Sequence, residues 1–359
     1  MNFLFIVQGE GRGHLTQALA LKTILEKKGH KVVEVLVGKD KKRNLPIFFV
    51  EKIKVPVSNF FSPDFATTKK IRTNIWKSFF INLFKIPIFI RSIFFIRKKI
   101  KESNPDIIIN LYDFLAGFSN FVFSFKKPFV CLANQYIFLH PDFEFPLTES
   151  KIEIKAMNLY NKITCLKADK IFALSLEKKE DILNKKIIVI PPILRPEVFL
   201  ETSKKENYIC GYLMNQFLVD KIKELHQKNP KEEWHFFWDK KDADEITVFN
   251  KTLFFHRLND FVFLKYLSSC KGFIGTAGFE SLAEAIYFEK PVAMIPTHIE
   301  QACNAFETEK NGAGIVLNDF DLEKFLNYIP KYKPSTAFKK WVESGEDKII
   351  KEIENIRKK

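Results

Sequence analysis

A chain of 359 residues is longer than one hydrophobic core ordinarily serves, which excludes a single small module and predicts two domains. Hydrophobic residues at 46% and charged residues at 28% give a normal globular balance, and a formal charge of +14 favours anionic partners: nucleic acid, nucleotide phosphates or an acidic membrane surface. Five dispersed cysteines (Cys131, Cys165, Cys210, Cys270, Cys303) without C-x-x-C spacing argue against a disulfide framework or zinc site and predict the reduced, buried thiols of a cytoplasmic protein.

The N-terminal run Asn2 to Val7 lacks the basic flank and length of a signal peptide and reads as a first buried strand. It enters a turn with Gly9, Gly11 and Gly13, followed by His14 and a helical pattern from Leu15 to Lys28. Glycine at every second position is not G-x-G-x-x-G, and the Lys-Ser/Thr of a P-loop is missing, so an NAD site is disfavoured. A tight strand-to-helix turn accounts for the glycines but not for His14. A cationic ring at a helix N-terminus is repelled by the helix dipole, so a neutral imidazole is favoured there, and it can serve as a general base.

Lys31 to Val37 reads as a second buried strand. Lys69 to Lys101 then carries ten Lys or Arg residues, no acidic residue, and Trp76, Phe79, Phe80, Phe84, Phe89, Phe94 and Phe95. Lys85, Arg91 and a kink at Pro87 argue against a membrane span. Two readings stand: an in-plane basic, aromatic helix pair on an anionic membrane surface, or core on one side and solvated charge on the other.

Strands follow at Asp106 to Asn110, Pro128 to Ala133 and Lys170 to Leu174. Asp113 falls at the carboxyl end of the first of these, placed to orient His14, to cap the next helix, or to do both. The prolines between Ile190 and Pro196, with polar Glu201 to Asn207, mark a linker and bound a first domain at 1–195. Alternation restarts at Tyr208 to Leu213, Trp234 to Trp238, Thr252 to Phe255, Gly272 to Gly275, Pro291 to Ile295 and Gly314 to Leu317, with helical segments between most of them. A second domain is expected at 205–335, with a terminal helix, 336–359, packing back on the first. The pattern predicts an α/β protein of two Rossmann-like, doubly wound domains facing a cleft. Asp242 and Asp244 form a D-x-D in a charged run that reads as a solvated loop, so no catalytic metal is expected.

The most informative stretch is Gly275 to Asn304. Gly275 to Gly278 make a small-residue turn between strand and helix, where a diphosphate can rest on helix N–H groups. Thr276 and Ser281 add hydroxyls, and Glu284, six residues beyond Gly278, suits a ribose. Glu300 and Gln301 open a later helix, suited to sugar hydroxyls.

The run G-x-x-x-x-x-E, K-P, a strand ending in proline and E-Q resembles the donor-binding signature of the GT-B inverting glycosyltransferases. Those include UDP-glycosyltransferases and the N-acetylglucosaminyltransferase of the peptidoglycan precursor; the Gly9–His14 turn resembles their N-terminal motif. The resemblance implies transfer of a hexose-type sugar from a nucleotide diphosphate, UDP by expectation, to a hydroxyl acceptor, lipid-linked or part of a cell-envelope glycan. It assigns Thr276 and Ser281 to the diphosphate, Glu284 to the ribose, Glu300 and Gln301 to the sugar, and the strand end with Arg257 and Leu258 to the base. It also implies that His14, paired with Asp113, deprotonates the acceptor. No cofactor besides the nucleotide-sugar is implied. Two departures stand out: Gly211 to Gln216 is glycine-poor, and Thr276 replaces a phosphate-binding histidine of plant-type members. A nucleotide-sugar 2-epimerase and a non-catalytic sugar- or nucleic-acid-binding protein are the alternatives. The epimerase lacks a reason for the E-Q pair, and nucleic acid lacks an exposed basic and aromatic groove.

Overall fold

The computed structural model describes residues 1–40, 44–63, 85–213, 217–240, 242–317 and 321–357. The chain divides into two compact units. One comprises Met1–Glu144, Thr148–Arg195 and Trp341–Lys359, the other Phe145–Leu147 and Pro196–Lys340.

In the first unit β1 (Asn2–Gln8), β2 (Lys31–Lys39), β3 (Val57–Phe61), β4 (Ile107–Leu111), β5 (Phe129–Ala133), β6 (Lys170–Leu174) and β7 (Ile187–Ile190) form one sheet in the order β3-β2-β1-β4-β5-β6-β7. Every pairing is parallel. A parallel sheet needs crossovers that cover both faces, which is why β4 and β5 are unbroken buried runs. The helices are α1 (Gly13–Lys27), α2 (Ile47–Ile53), α3 (Ile86–Ser103), α4 (Phe114–Phe123) and α5 (Lys151–Thr164).

In the second unit β8 (Tyr208–Leu213), β9 (Glu233–Trp238), β10 (Ile246–Val248), β11 (Leu253–Arg257), β12 (Gly272–Gly275), β13 (Val292–Met294) and β14 (Gly314–Val316) follow the order β10-β11-β9-β8-β12-β13-β14. All pair in parallel except β10, antiparallel to β11. Its helices are α6 (Phe217–Lys228), α7 (Asp260–Ser269), α8 (Phe279–Tyr287), α9 (Ile299–Lys310) and α10 (Leu322–Tyr328), and α11 (Thr336–Glu343) begins in this unit and ends in the first. One sheet face packs Trp234, Phe236, Trp238, Leu253 and Phe255 into a single apolar cluster. The terminal helix α12 (Gly345–Arg357) lies on the first unit: Lys348 pairs with Asp181 at 2.9 Å and Lys170 with Glu352 at 2.5 Å.

Three strands escape the sequence pattern. β3 is mostly half-exposed, β7 runs into the prolines taken as linker, and β10 is a three-residue edge strand. Pro87 does not kink a helix; it sits in the first turn of α3, where its missing N–H costs nothing. Residues 64–84 lie outside the described residues, so of the basic segment only Lys85 onward is placed. No helix among the described residues is long and apolar enough to cross a membrane. All five cysteines are free and buried.

Candidate functional site

The order in which strands are added reverses between β1 and β4 in the first sheet and between β8 and β12 in the second, while the strands stay parallel. Such switch points leave a crevice at the carboxyl ends of the strands, because the flanking connections diverge to opposite faces. In the first unit the loops after β1 and β4 meet there. Gly9 fits because a Cβ would stand 2.8 Å from the Gly38 carbonyl oxygen, while its N–H donates to that same oxygen at 2.7 Å.

His14 stands in the first turn of α1, 7% exposed. Its Nδ1 lies 3.2 Å from Gln17 Oε1, one helical turn on, and its Nε2 lies 3.5 Å from Gln135 Nε2. An amide oxygen only accepts, so Nδ1 carries the hydrogen and Nε2 the lone pair, the tautomer assigned from these partners. The ring stacks on Tyr112 with centroids 5.2 Å apart.

Asp113 makes no hydrogen bond to His14. Its Oδ1 caps α4 by accepting from the Ala116 N–H at 2.9 Å, and Oδ2 is buried without a hydrogen bond, against Gly38. Burial pushes this carboxyl up to about 6; the Ser62 hydroxyl and the N–H groups of Ala116 and Leu115 oppose the shift. The capping role is the one its geometry fulfils, and the side chain at His14 Nδ1 is Gln17.

In the second unit the turn Gly275–Gly278 joins β12 to α8 as its spacing predicts. Ala277 takes a left-handed φ of 60°, unfavourable for a residue with a Cβ. Two residues of α9 hold it: Asn304 Nδ2 donates to the Ala277 carbonyl at 3.2 Å, and Gln301 Nε2 to the Thr276 hydroxyl at 3.1 Å. The N-cap position of α8, Gly278, supplies no capping side chain. Ser281 turns its hydroxyl back to the Gly278 carbonyl at 3.1 Å.

Gln301 is buried, and its Oε1 accepts from the Thr297 N–H and hydroxyl at 2.9 and 2.8 Å. Glu284 is buried within α8, while Glu300 is half-buried at the start of α9. Arg257 is exposed at the end of β11, 3.8 Å from Glu245, and the Leu258 N–H donates to the Trp238 carbonyl. Asp242 and Asp244 are exposed before β10, and no group of three metal-ligating side chains occurs among the described residues.

The structure thus brings Thr276 together with Gln301 and leaves His14 apart from Asp113. Sequence reading missed Gln17, Tyr112, Gln135 and Asn304. Gln135 follows β5 and Tyr112 follows β4, so the strand-end rule that picked out Asp113 points to both of them.

Three solved structures share the fold along nearly the whole chain. The glycotransferase of kitacinnamycin superposes with a TM-score of 0.66 at 12% identity, covering 99% of this chain and 98% of its own. The spinosyn forosaminyltransferase SpnP gives 0.63 at 12%, with full coverage of both chains, and the calicheamicin glycosyltransferase CalG4 gives 0.62 at 14%, covering 98% and 97%. Both units therefore form the two-domain α/β architecture of GT-B glycosyltransferases. Among curated proteins none matches the sequence. The model of glycosyl transferase family 1 matches residues 1–330, and the chain belongs to that family.

Proposed function

We propose that this glycosyltransferase moves a hexose-type sugar from a UDP-class donor to a hydroxyl acceptor, with inversion, without a catalytic metal, and with His14 as general base. One observation carries the reading: Gln17 takes the Nδ1 hydrogen of His14, which makes Nε2 the basic nitrogen of a neutral imidazole, the form a general base requires. The donor diphosphate rests on the N-terminus of α8, where free N–H groups and the helix dipole oppose the charge of the leaving group. Glu284 then serves the ribose, Glu300 and Gln301 the sugar, and Arg257 and Leu258 the base.

A thermal-shift screen of UDP, GDP and dTDP sugars tests the donor, since a bound ligand raises apparent stability. UDP-sugars should shift the transition most, and the shift should persist in EDTA. Conversion of UDP-N-acetylglucosamine to its 2-epimer in the absence of acceptor would instead establish an epimerase.

A lipid-linked acceptor met at an anionic membrane surface is supported by one surface. α3 exposes Ile90 and Phe94 beside Arg91, Lys98 and Lys101, and α4, packed against it, exposes Phe118, Phe121 and Val122. Lys99 is not part of this surface, because it pairs with Glu34 at 2.8 Å. Co-sedimentation with vesicles should need anionic lipid, weaken with salt, and fall in the triple variant R91E/K98E/K101E. Equal recovery in the supernatant with and without anionic vesicles favours a soluble acceptor.

A further inference from the structure

We infer that Asn161 and Tyr112 are positioning residues for the His14 imidazole, an assignment that rests on the reading of His14 as base. Tyr112 follows β4 with a φ of 66°, a left-handed conformation that a bulky side chain adopts only where its surroundings enforce it. Here they do. Asn110 bridges the turn: its Oδ1 accepts from the Asp113 N–H at 2.9 Å, and its Nδ2 donates to the Asp113 and Thr164 carbonyls at 3.0 and 2.8 Å. The effect is to lay the Tyr112 ring against the face of His14.

Tyr112 is then locked from the far end. Its hydroxyl donates to Asn161 Oδ1 at 2.5 Å, and its ring packs on Tyr136 and Tyr160. Asn161 lies on α5 and is 0% exposed. Its Nδ2 donates to the Gln135 carbonyl at 3.1 Å. Gln135 is the residue whose side-chain amide stands at His14 Nε2.

One buried amide therefore holds both the residue beneath the imidazole and the residue at its basic nitrogen. Packing alone would place an apolar residue at so enclosed a helix position. An amide there costs free energy unless both its acceptor and its donor are used, and here both are. Gln135 Oε1 is buried without a partner, so that amide has no second anchor of its own and depends on its backbone tether for position.

The test uses the full chain and two conservative variants. Tyr112→Phe removes only the hydroxyl, and Asn161→Leu removes the amide's acceptor and donor at similar volume. In each, the nitrogen-15 signals of His14 should move away from the Nδ1–H tautomer pattern. Turnover should fall about 10–100-fold, the range for residues that orient a functional group from behind, with the donor KM unchanged. The assignment is overturned if His14 signals in folded Tyr112→Phe match the wild type, or if only the melting temperature changes. Failure of the base reading is distinguishable: His14→Ala would then keep wild-type turnover, while the imidazole signals would still report whether Tyr112 and Asn161 hold the ring.

Discussion

Gln301 Nε2 donates to the Thr276 hydroxyl at 3.1 Å, tying the first turn of α9 to the loop that enters α8. Both side chains are buried, and the bond stands beside the left-handed Ala277. Thr276→Val keeps the shape and removes the acceptor. The expected result is donor affinity weaker by about 1–3 kcal/mol, because the loop entering α8 loses both its hydroxyl and its tie to α9. Calorimetry checks this; an unchanged dissociation constant removes this bond from donor binding.

His14→Ala should lower turnover about 10²–10⁴-fold while leaving donor binding nearly intact, the pattern of a lost general base. Steady-state kinetics with the true acceptor decides it. Wild-type turnover would make His14 structural.

Glu284→Gln should preserve the fold, since the amide matches the carboxyl in shape within α8, and weaken donor binding by about 2–4 kcal/mol. Melting temperature and donor affinity, measured on the same sample, separate the two effects. Loss of stability with full affinity would assign Glu284 to the interior of the helix layer instead.

Asp113→Asn should stabilise the protein above about pH 6. The buried carboxyl has its folded value raised from 3.8 to about 6, so the folded state binds more protons than the unfolded state across that window. Stability is thus lost as pH rises through it, by up to roughly 3 kcal/mol at 1.36 kcal/mol per unit. Asparagine still caps α4 and carries no charge. The variant should melt higher at pH 7.5 and equal the wild type near pH 4. Because Asp113 makes no bond to His14, its turnover should fall far less than that of His14→Ala.

The opposite sign is expected at the second sheet. His235 Nε2 lies 2.7 Å from Glu233 and its Nδ1 2.8 Å from His256 Nε2; with both rings neutral, as burial favours, His235 donates to Glu233 and accepts from His256. Burial first, and His235 second, bring His256 down from 6.5 to about 4. The unfolded chain therefore takes up the proton first, and stability present above about pH 6.5 is lost as pH falls toward 4. His256→Phe should flatten the denaturation midpoint across that interval. An unchanged pH slope would show that the pair does not govern acid stability.

The alternation of buried runs and helical spacing sufficed to place β1, β2, β4, β5, β6, β8, β9 and β12, because a strand covered on both faces must be continuously apolar. The turn after β12 was legible for a similar reason: small residues between strand and helix leave room for an anion. β3, β7 and β10 were not legible, since half-exposed, proline-flanked or three-residue strands share their composition with loops. Asp113 and His14 both lie at strand ends of one sheet, which sequence reports. Whether they touch depends on where Gly38 and the left-handed Tyr112 place the Asp113 carboxyl. The partners of His14 come from positions 17, 112 and 135, and the Asn161 amide beneath two of them from a fourth, separate in the chain. Chemistry that rests on a single element can be read from residue order. A hydrogen-bonded constellation gathered from several elements is decided only when the sheet and its helices pack.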